Sequence, residues 1–236
     1  MKSDSIKAIR MVVKECPEIM PFMSAKARWA SNLPDAYKTY DYFYSQLTRM
    51  VKNLYAGNIG REFIDIMGSL LFGQFKQAHE QAWADDGNDT ELPAFLVESH
   101  ESLYLAQFPF VEGFYNDITD AAIDKTPIDP LLARVSLWAN RWSEAYNTAV
   151  HLIALETGGK EEWKLGATEE HCANCSALNG IVAYASEWDN AGVHPQRAPN
   201  SALECGGWQC DCSREPTSKR HTRGAYDKII RAIARG

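Results

Sequence analysis

Cys172-Ala-Asn-Cys175 and, after 29 intervening residues, Cys205-Gly-Gly-Trp-Gln-Cys210-Asp-Cys212 divide this sequence into two kinds of chain. Before them the residues read as helix after helix; around them glycine, asparagine, proline and cysteine take over. Five of the six cysteines fall within these 41 positions of a 236-residue chain. Disulfide frameworks belong to short secreted domains, and the N-terminus MKSDSIKAIR lacks the apolar core of a secretory signal. The crowding therefore favours a metal over bridges, in a protein expected to be made in a cytoplasm.

Two residues between Cys172 and Cys175 let both thiolates reach one tetrahedral ion from a single turn. Cys205, Cys210 and Cys212 supply further sulfur, and four of the five would close a structural zinc site. The preferred set is Cys172, Cys175, Cys205 and Cys210, with Cys212 as the substitute, because Cys210 and Cys212 point to opposite faces if their segment is extended. His171 and His194 are spare donors; otherwise they are surface-loop histidines. A redox pair at Cys172 and Cys175 would call for a βαβ pattern, which is missing. Merely buried thiols scatter, as Cys16 does. Zinc-finger peptides gain about 10–16 kcal/mol from their ion, as much as the roughly 5–15 kcal/mol stability of an ordinary domain. The metal would decide whether this small polar module folds.

Working back from Gly158, the helical patterns are clear. Leu132, Val135, Ala139, Trp142, Tyr146, Ala149 and Ile153 recur at three and four, predicting one helix from the Pro127–Pro130 region to Gly158-Gly159. Tyr37, Tyr40, Tyr44, Leu47, Val51 and Leu54 make an earlier stripe with Asp35 as N-cap. Phe63, Ile66, Met67, Leu70, Leu71 and Phe75 make another, running to about Ala84. Two shorter helices, Leu92 to Ala106 and Phe110 to Ile123, are split by Pro109. These seams suit an antiparallel bundle or, as the alternative, an oligomeric coiled coil. Short β-pieces are expected at Trp163 to Thr168 and Gly180 to Ala185, around the Leu178-Asn179-Gly180 turn. The fold class is mainly α: a helical domain over residues 1–157, a zinc-stapled α+β module over 158–216 and a basic amphipathic helix over 217–236.

The total charge of −7 argues against a protein coated in nucleic-acid-binding charge. From Arg214 onward, however, seven Lys or Arg face only Glu215 and Asp227, a balance of +5 that leaves −12 on the rest. In the tail, Tyr226, Ile229, Ile230 and Ile233 form a docking face at helical spacing. Either this helix docks on its own bundle with its cations solvated, or Arg214, Lys219, Arg220, Arg223 and Lys228 face DNA or an acidic protein surface.

Catalytic signals are weak. There is no HExxH, no GxSxG, no glycine-rich phosphate loop and no deaminase His-x-Glu. Four sulfurs on one ion leave no position for a reacting water. His79-Glu80 and His100-Glu101 are expected to be solvated helix positions.

The run Trp163-Lys-Leu-Gly-Ala-Thr-Glu-Glu-His-Cys172-Ala-Asn-Cys175-Ser-Ala-Leu178-Asn179-Gly180-Ile-Val182 resembles the C-terminal signature of the phage Mu F-like minor head proteins, also called phage head morphogenesis proteins. That family shows a tryptophan, an acidic turn, Cys-x-x-Cys, Leu-Asn-Gly and a closing His-Pro-x-Cys-x-Cys, whose last pair Cys210-Asp-Cys212 matches. Arg141, Glu144 and Asn147 stand where the family carries arginine, glutamate and asparagine. Gly-Trp replaces His-Pro here, and the resemblance implies that Cys205 stands in for the histidine ligand. It covers about residues 135–216, while residues 1–130 match by type alone.

What the resemblance implies is a non-enzymatic virion component inside the head. It would contact portal and capsid proteins, with packaged double-stranded DNA as a further candidate partner, in capsid assembly or genome packaging and delivery. The rival readings are an enzyme or toxin-like effector with its active site on the helical domain, and a stand-alone zinc module that binds nucleic acid.

Overall fold

The computed structural model describes residues 40–167, 170–197, 200–207 and 210–234. Cys16 and Asp35 lie outside these residues, as do Trp208 and Arg235. The described chain is mainly helical, with one small antiparallel sheet. It forms two compact units: the residues up to Ala78 with Pro93–Trp142, and His79–Leu92 with Ser143–Gly236. The expected divisions after residues 157 and 216 fall inside the second unit. Among the described residues no helix is long and apolar enough to cross a membrane.

The first unit is built from α1 (Tyr40–Tyr55), α2 (Glu62–Asp85, here to Ala78), α3 (Ala94–Gln107), α4 (Pro109–Asp124) and α5 (Asp129–Ala139). On α1, Leu47, Val51 and Leu54 are buried as the stripe predicts, but Phe43 and Met50 complete the face and Tyr44 is exposed. A phenol can leave the stripe because its hydroxyl prefers water. α2 is buried almost all round from Met67 to Phe75, which is the signature of a central helix and not of a surface one. Gly68 allows this close packing: a Cβ there would meet the Phe108 ring at 2.7 Å. Phe63 meets Phe114 edge-on at 6.2 Å, and Phe72 meets the rings of His100 and Tyr104 at 5.4 Å each. His100 and, in the second unit, His79 are therefore interior groups, correcting the expectation that both are solvated. Pro109 does divide two helices, as the first residue of α4, where its missing amide costs nothing.

The long helix predicted up to Gly158 is two helices, α5 and α6 (Arg141–Thr157), parted at Asn140. Periodicity could not reveal this, because a short break preserves the apolar phase. The buried Gln74 amide donates to the Ala139 carbonyl at 2.7 Å, supplying a partner where the helix ends.

In the second unit α6 is followed by β1 (Lys160–Lys164), α7 (Ala173–Leu178), β2 (Val182–Tyr184), α8 (Ala185–Ala191), β3 (Ser213–Pro216) and α9 (Ala225–Ile233). The sheet order is β2-β1-β3, antiparallel throughout, with Trp163 opposite Arg214 and Glu162 opposite Val182. Trp163 and Trp188 pack at 5.7 Å in a core that also holds Leu178, Val193, Leu203, Ile229, Cys175 and Cys212. The tail helix α9 belongs to this core, but through Ala225, Ile229 and Ala232; Tyr226 and Ile230 of the expected face are exposed. Two alanines let the helix come close enough for its backbone to be used as an acceptor, which the larger residues would prevent.

Candidate metal centre

The first cysteine pair is shaped by local backbone chemistry. Cys172 is the extended N-cap of α7, and its sulfur accepts from the Cys175 amide at 3.4 Å. That turn carries Cys175 inward, to 2% exposure, while Cys172 stays half-buried. Between them Asn174 is also buried. Its amide donates to the Ala232 carbonyl of α9 at 2.8 Å, and its oxygen accepts from the Glu204 amide at 2.7 Å. Glu204 in turn accepts from the Ala173 amide at 2.9 Å. Thus the two residues inside the Cys-x-x-Cys turn tie it to the Cys205 segment and to the C-terminal helix. The sequence reading missed this clasp, although a small amide next to a cysteine turn was its available signal.

All five cysteines of the segment converge. The sulfurs of Cys172, Cys175 and Cys205 lie within 4.8 Å of one another, as do those of Cys175, Cys210 and Cys212. His171, Asp211 and Cys212 form a third such group, with Cys212 Sγ 3.7 Å from His171 Nδ1. Residues 210–212 precede β3 and are not part of a strand, so Cys210 and Cys212 both turn towards Cys175. The expectation that an extended segment would send one of them away does not apply. Gly166 lets the Asp211 segment approach, since a Cβ there would collide with the Asp211 carboxylate.

Crowded thiols redistribute their protons. Hydrogen bonds from Cys175 and Cys210 hold the Cys212 thiol down to about 3. Hydrogen bonds with Cys210 first and then Cys212 push Cys175 far above the usual thiol range, with burial adding to the effect. Burial pushes Cys205 up to about 11. Such a cluster resists full ionisation, and a divalent cation can take the place of its protons. These cysteine, histidine and aspartate groups can bind a metal ion.

A second polar cluster lies in the same unit. His151 Nδ1 is 2.8 Å from Glu161 Oε2, and Arg214 Nη1 is 3.8 Å from that same oxygen. Arg214 Nη2 donates to His194 Nδ1 at 3.2 Å. Glu161 is fully buried, and its Oε1 has no hydrogen-bond partner. Burial, then the Arg214 and Arg197 charges, hold His194 down to about 3, so it is neutral. The cluster borders a cavity of about 70 Å³ lined by His151, Asp189, His194, Arg197 and Arg214. An open cleft of about 770 Å³ runs between α6 residues such as Tyr146 and Val150 and the β3 residues Ser213 to Pro216.

Of the tail cations expected to meet a partner, Arg214 is removed by this geometry: it is 6% exposed and committed to Glu161 and His194. Its place in β3, opposite Trp163, turns it inward. Lys219, Arg220, Arg223 and Lys228 are exposed, Lys219 pairing with Glu162 at 2.8 Å. The chain matches no protein-family model, no curated protein and no solved structure.

Proposed function

We propose that this chain is a phage minor head protein of the Mu F-like kind, a non-enzymatic virion component inside the head. Its C-terminal unit is stapled by structural zinc and contacts portal and capsid proteins. One observation carries the reading: the two halves of the signature meet, with Cys210 and Cys212 within 4.8 Å of Cys175. Sulfur-rich donors of this kind suit zinc, which takes thiolates at about 2.3 Å in closed tetrahedral sites. Trp163, the other fixed point of the signature, is fully buried beside the cluster, so the signature residues serve one folded unit. The exposed Lys219, Arg220, Arg223 and Lys228 offer a surface for DNA phosphates or an acidic portal face.

The test is association. In particles purified from cells that assemble this chain's phage, the protein is expected to sediment with portal and capsid proteins in few copies per particle. Its absence from particles, with heads of normal yield and infectivity when it is deleted, would overturn the proposal.

The enzyme or effector reading draws on the His151, Glu161, Arg214 and His194 cluster. Its histidines face a cavity of about 70 Å³, far below the roughly 300–1,000 Å³ of ligand pockets; only the adjoining cleft of about 770 Å³, which Arg214 also lines, has the size of a substrate site. The stand-alone nucleic-acid module is disfavoured by the net charge of −7.

A further inference from the structure

The five sulfurs exceed what one tetrahedral ion can use, and their arrangement is not a tetrahedron. In a four-sulfur zinc site every sulfur is about 3.8 Å from every other, as bond lengths of about 2.3 Å dictate. Among the described residues no four of these sulfurs lie within 4.8 Å of one another. Instead there are two triads with one member in common. Cys172 and Cys205 belong to one triad with Cys175, and Cys210 and Cys212 to the other.

We infer that the cluster is a two-ion centre in which the Cys175 thiolate bridges two divalent ions of the zinc class. One ion is held with Cys172 and Cys205, the other with Cys210 and Cys212. Cys175 suits the bridging role, being the shared member of both triads and almost fully buried at 2% exposure. The donor beside the second ion is His171, whose Nδ1 is 3.7 Å from Cys212 Sγ; it groups with Cys212 and Asp211 and not with Cys175 and Cys210, so its ring must move to take the fourth position. The fourth position of the first ion falls to solvent, because Cys172 and Cys205 are only half-buried.

Charge supports the same count. One ion with four thiolates carries a double negative charge and leaves a fifth sulfur crowded against it. Two divalent ions with five thiolates carry a single negative charge and leave no sulfur over, which lowers the cost of placing the cluster beside the buried Trp163 and Leu178 core. The two ions differ in kind. The second is shielded by the buried Cys212, whereas the first is reached by solvent and exchanges sooner.

This inference rests on the metal-stapled reading above, and metal stoichiometry separates the two. Full-length protein, kept reduced, is loaded with Zn²⁺ and weighed intact under native conditions, then exchanged into ¹¹³Cd²⁺ for NMR. The expected result is two ions per chain and two cadmium signals, both correlated with the Cys175 β-protons. Cys205→Ser is expected to drop the count from two to one while the protein stays folded, and His171→Ala to hasten loss of the ion held by Cys210 and Cys212. One ion per chain, or two that do not share Cys175, overturns the two-ion centre and leaves the staple standing. No bound ion overturns both. Two ions retained in Cys205→Ser would also sink the assignment.

Discussion

The two units solve the problem of the interior in opposite ways. In the first, the centre is Phe63, Met67, Leu71, Phe75 and Phe114, and its buried polar side chains, such as Gln74 and His100, carry no obligatory charge. In the second, Glu144, Glu161, Glu162 and Arg214 are buried alongside five cysteines in two groups that share Cys175. Apolar burial is non-directional and survives small errors of geometry, whereas buried charge and metal ligation are all-or-nothing. The apolar core of the second unit, with Trp163, Trp188, Leu178 and Ile229, also holds Cys175 and Cys212. Its order therefore depends on groups that fail abruptly when one partner is lost.

The largest expected effect tests that dependence directly. On the metal-stapled reading proposed above, chelation, or Cys175→Ser, removes up to about 10–16 kcal/mol by analogy with zinc fingers. The second unit is expected to lose its near-ultraviolet tryptophan signal, since Trp163 and Trp188 lie in its core, while most helical circular dichroism persists. Simultaneous loss of both signals at one midpoint would break the comparison by making the two units a single cooperative body.

A pair of core substitutions sharpens it. Phe63→Ala in the first unit is expected to cost about 3–5 kcal/mol through a cavity. Arg214→Ala in the second costs a similar 3–5 kcal/mol for another reason, because it leaves Glu161 buried without its cation. The difference lies in rescue. Adding Glu161→Gln to Arg214→Ala should restore much of the loss, since no charge is then stranded, and His151 can keep a hydrogen-bond partner. Denaturant midpoints of the single and double variants check this; a double variant as unstable as the sum of the two singles would count against a charge-based interior.

A smaller effect depends on pH. His194 has a folded value of about 3, depressed by burial and by Arg214, below its ordinary value of 6.5. The unfolded chain therefore binds the extra proton first, and the stability owed to neutral His194 is present above about pH 6.5 and lost as pH falls towards 3. Between pH 7 and 5 this amounts to about 2 kcal/mol. Wild type is expected to lose that much more stability over this interval than His194→Gln, measured by denaturant unfolding of metal-loaded protein; equal slopes would mean that His194 is not held neutral.

The same contrast explains what was legible in the sequence. Apolar spacing located α1 to α4 within a few residues, because burial of Leu47, Val51, Phe63 and Met67 is written as periodicity. It missed the break at Asn140, where the Ala139 carbonyl accepts from the distant Gln74, and it missed that α2 is buried almost all round from Met67 to Phe75. In the second unit cysteine spacing gave the ligand candidates, since ligation demands particular residue types. Strand β1 was placed too late because Glu161 and Glu162 look like surface residues; only their pairing with His151, Arg214 and Lys219, outside the strand, makes them interior. The inward turn of Arg214 was hidden for the same reason. Charges paired over long range leave no local pattern.

The smallest effect isolates burial from charge, using two neighbours on β1. Glu161 is fully enclosed and faces Arg214, while Glu162 pairs with Lys219, whose side chain is 59% exposed, and with Lys164 at 3.0 Å. Lys219 first, and then Lys164, hold the Glu162 carboxyl below the usual carboxylate range. That shift describes a real attraction, but water and salt screen a pair with so open a partner, and such pairs are worth about 0–1 kcal/mol. Lys219→Ala is therefore expected to lower stability by less than about 1 kcal/mol, with the difference vanishing in high salt, because Lys164 remains beside Glu162. A loss comparable with that of Arg214→Ala would mean that charge itself, and not its enclosure, sets the fragility of the second unit.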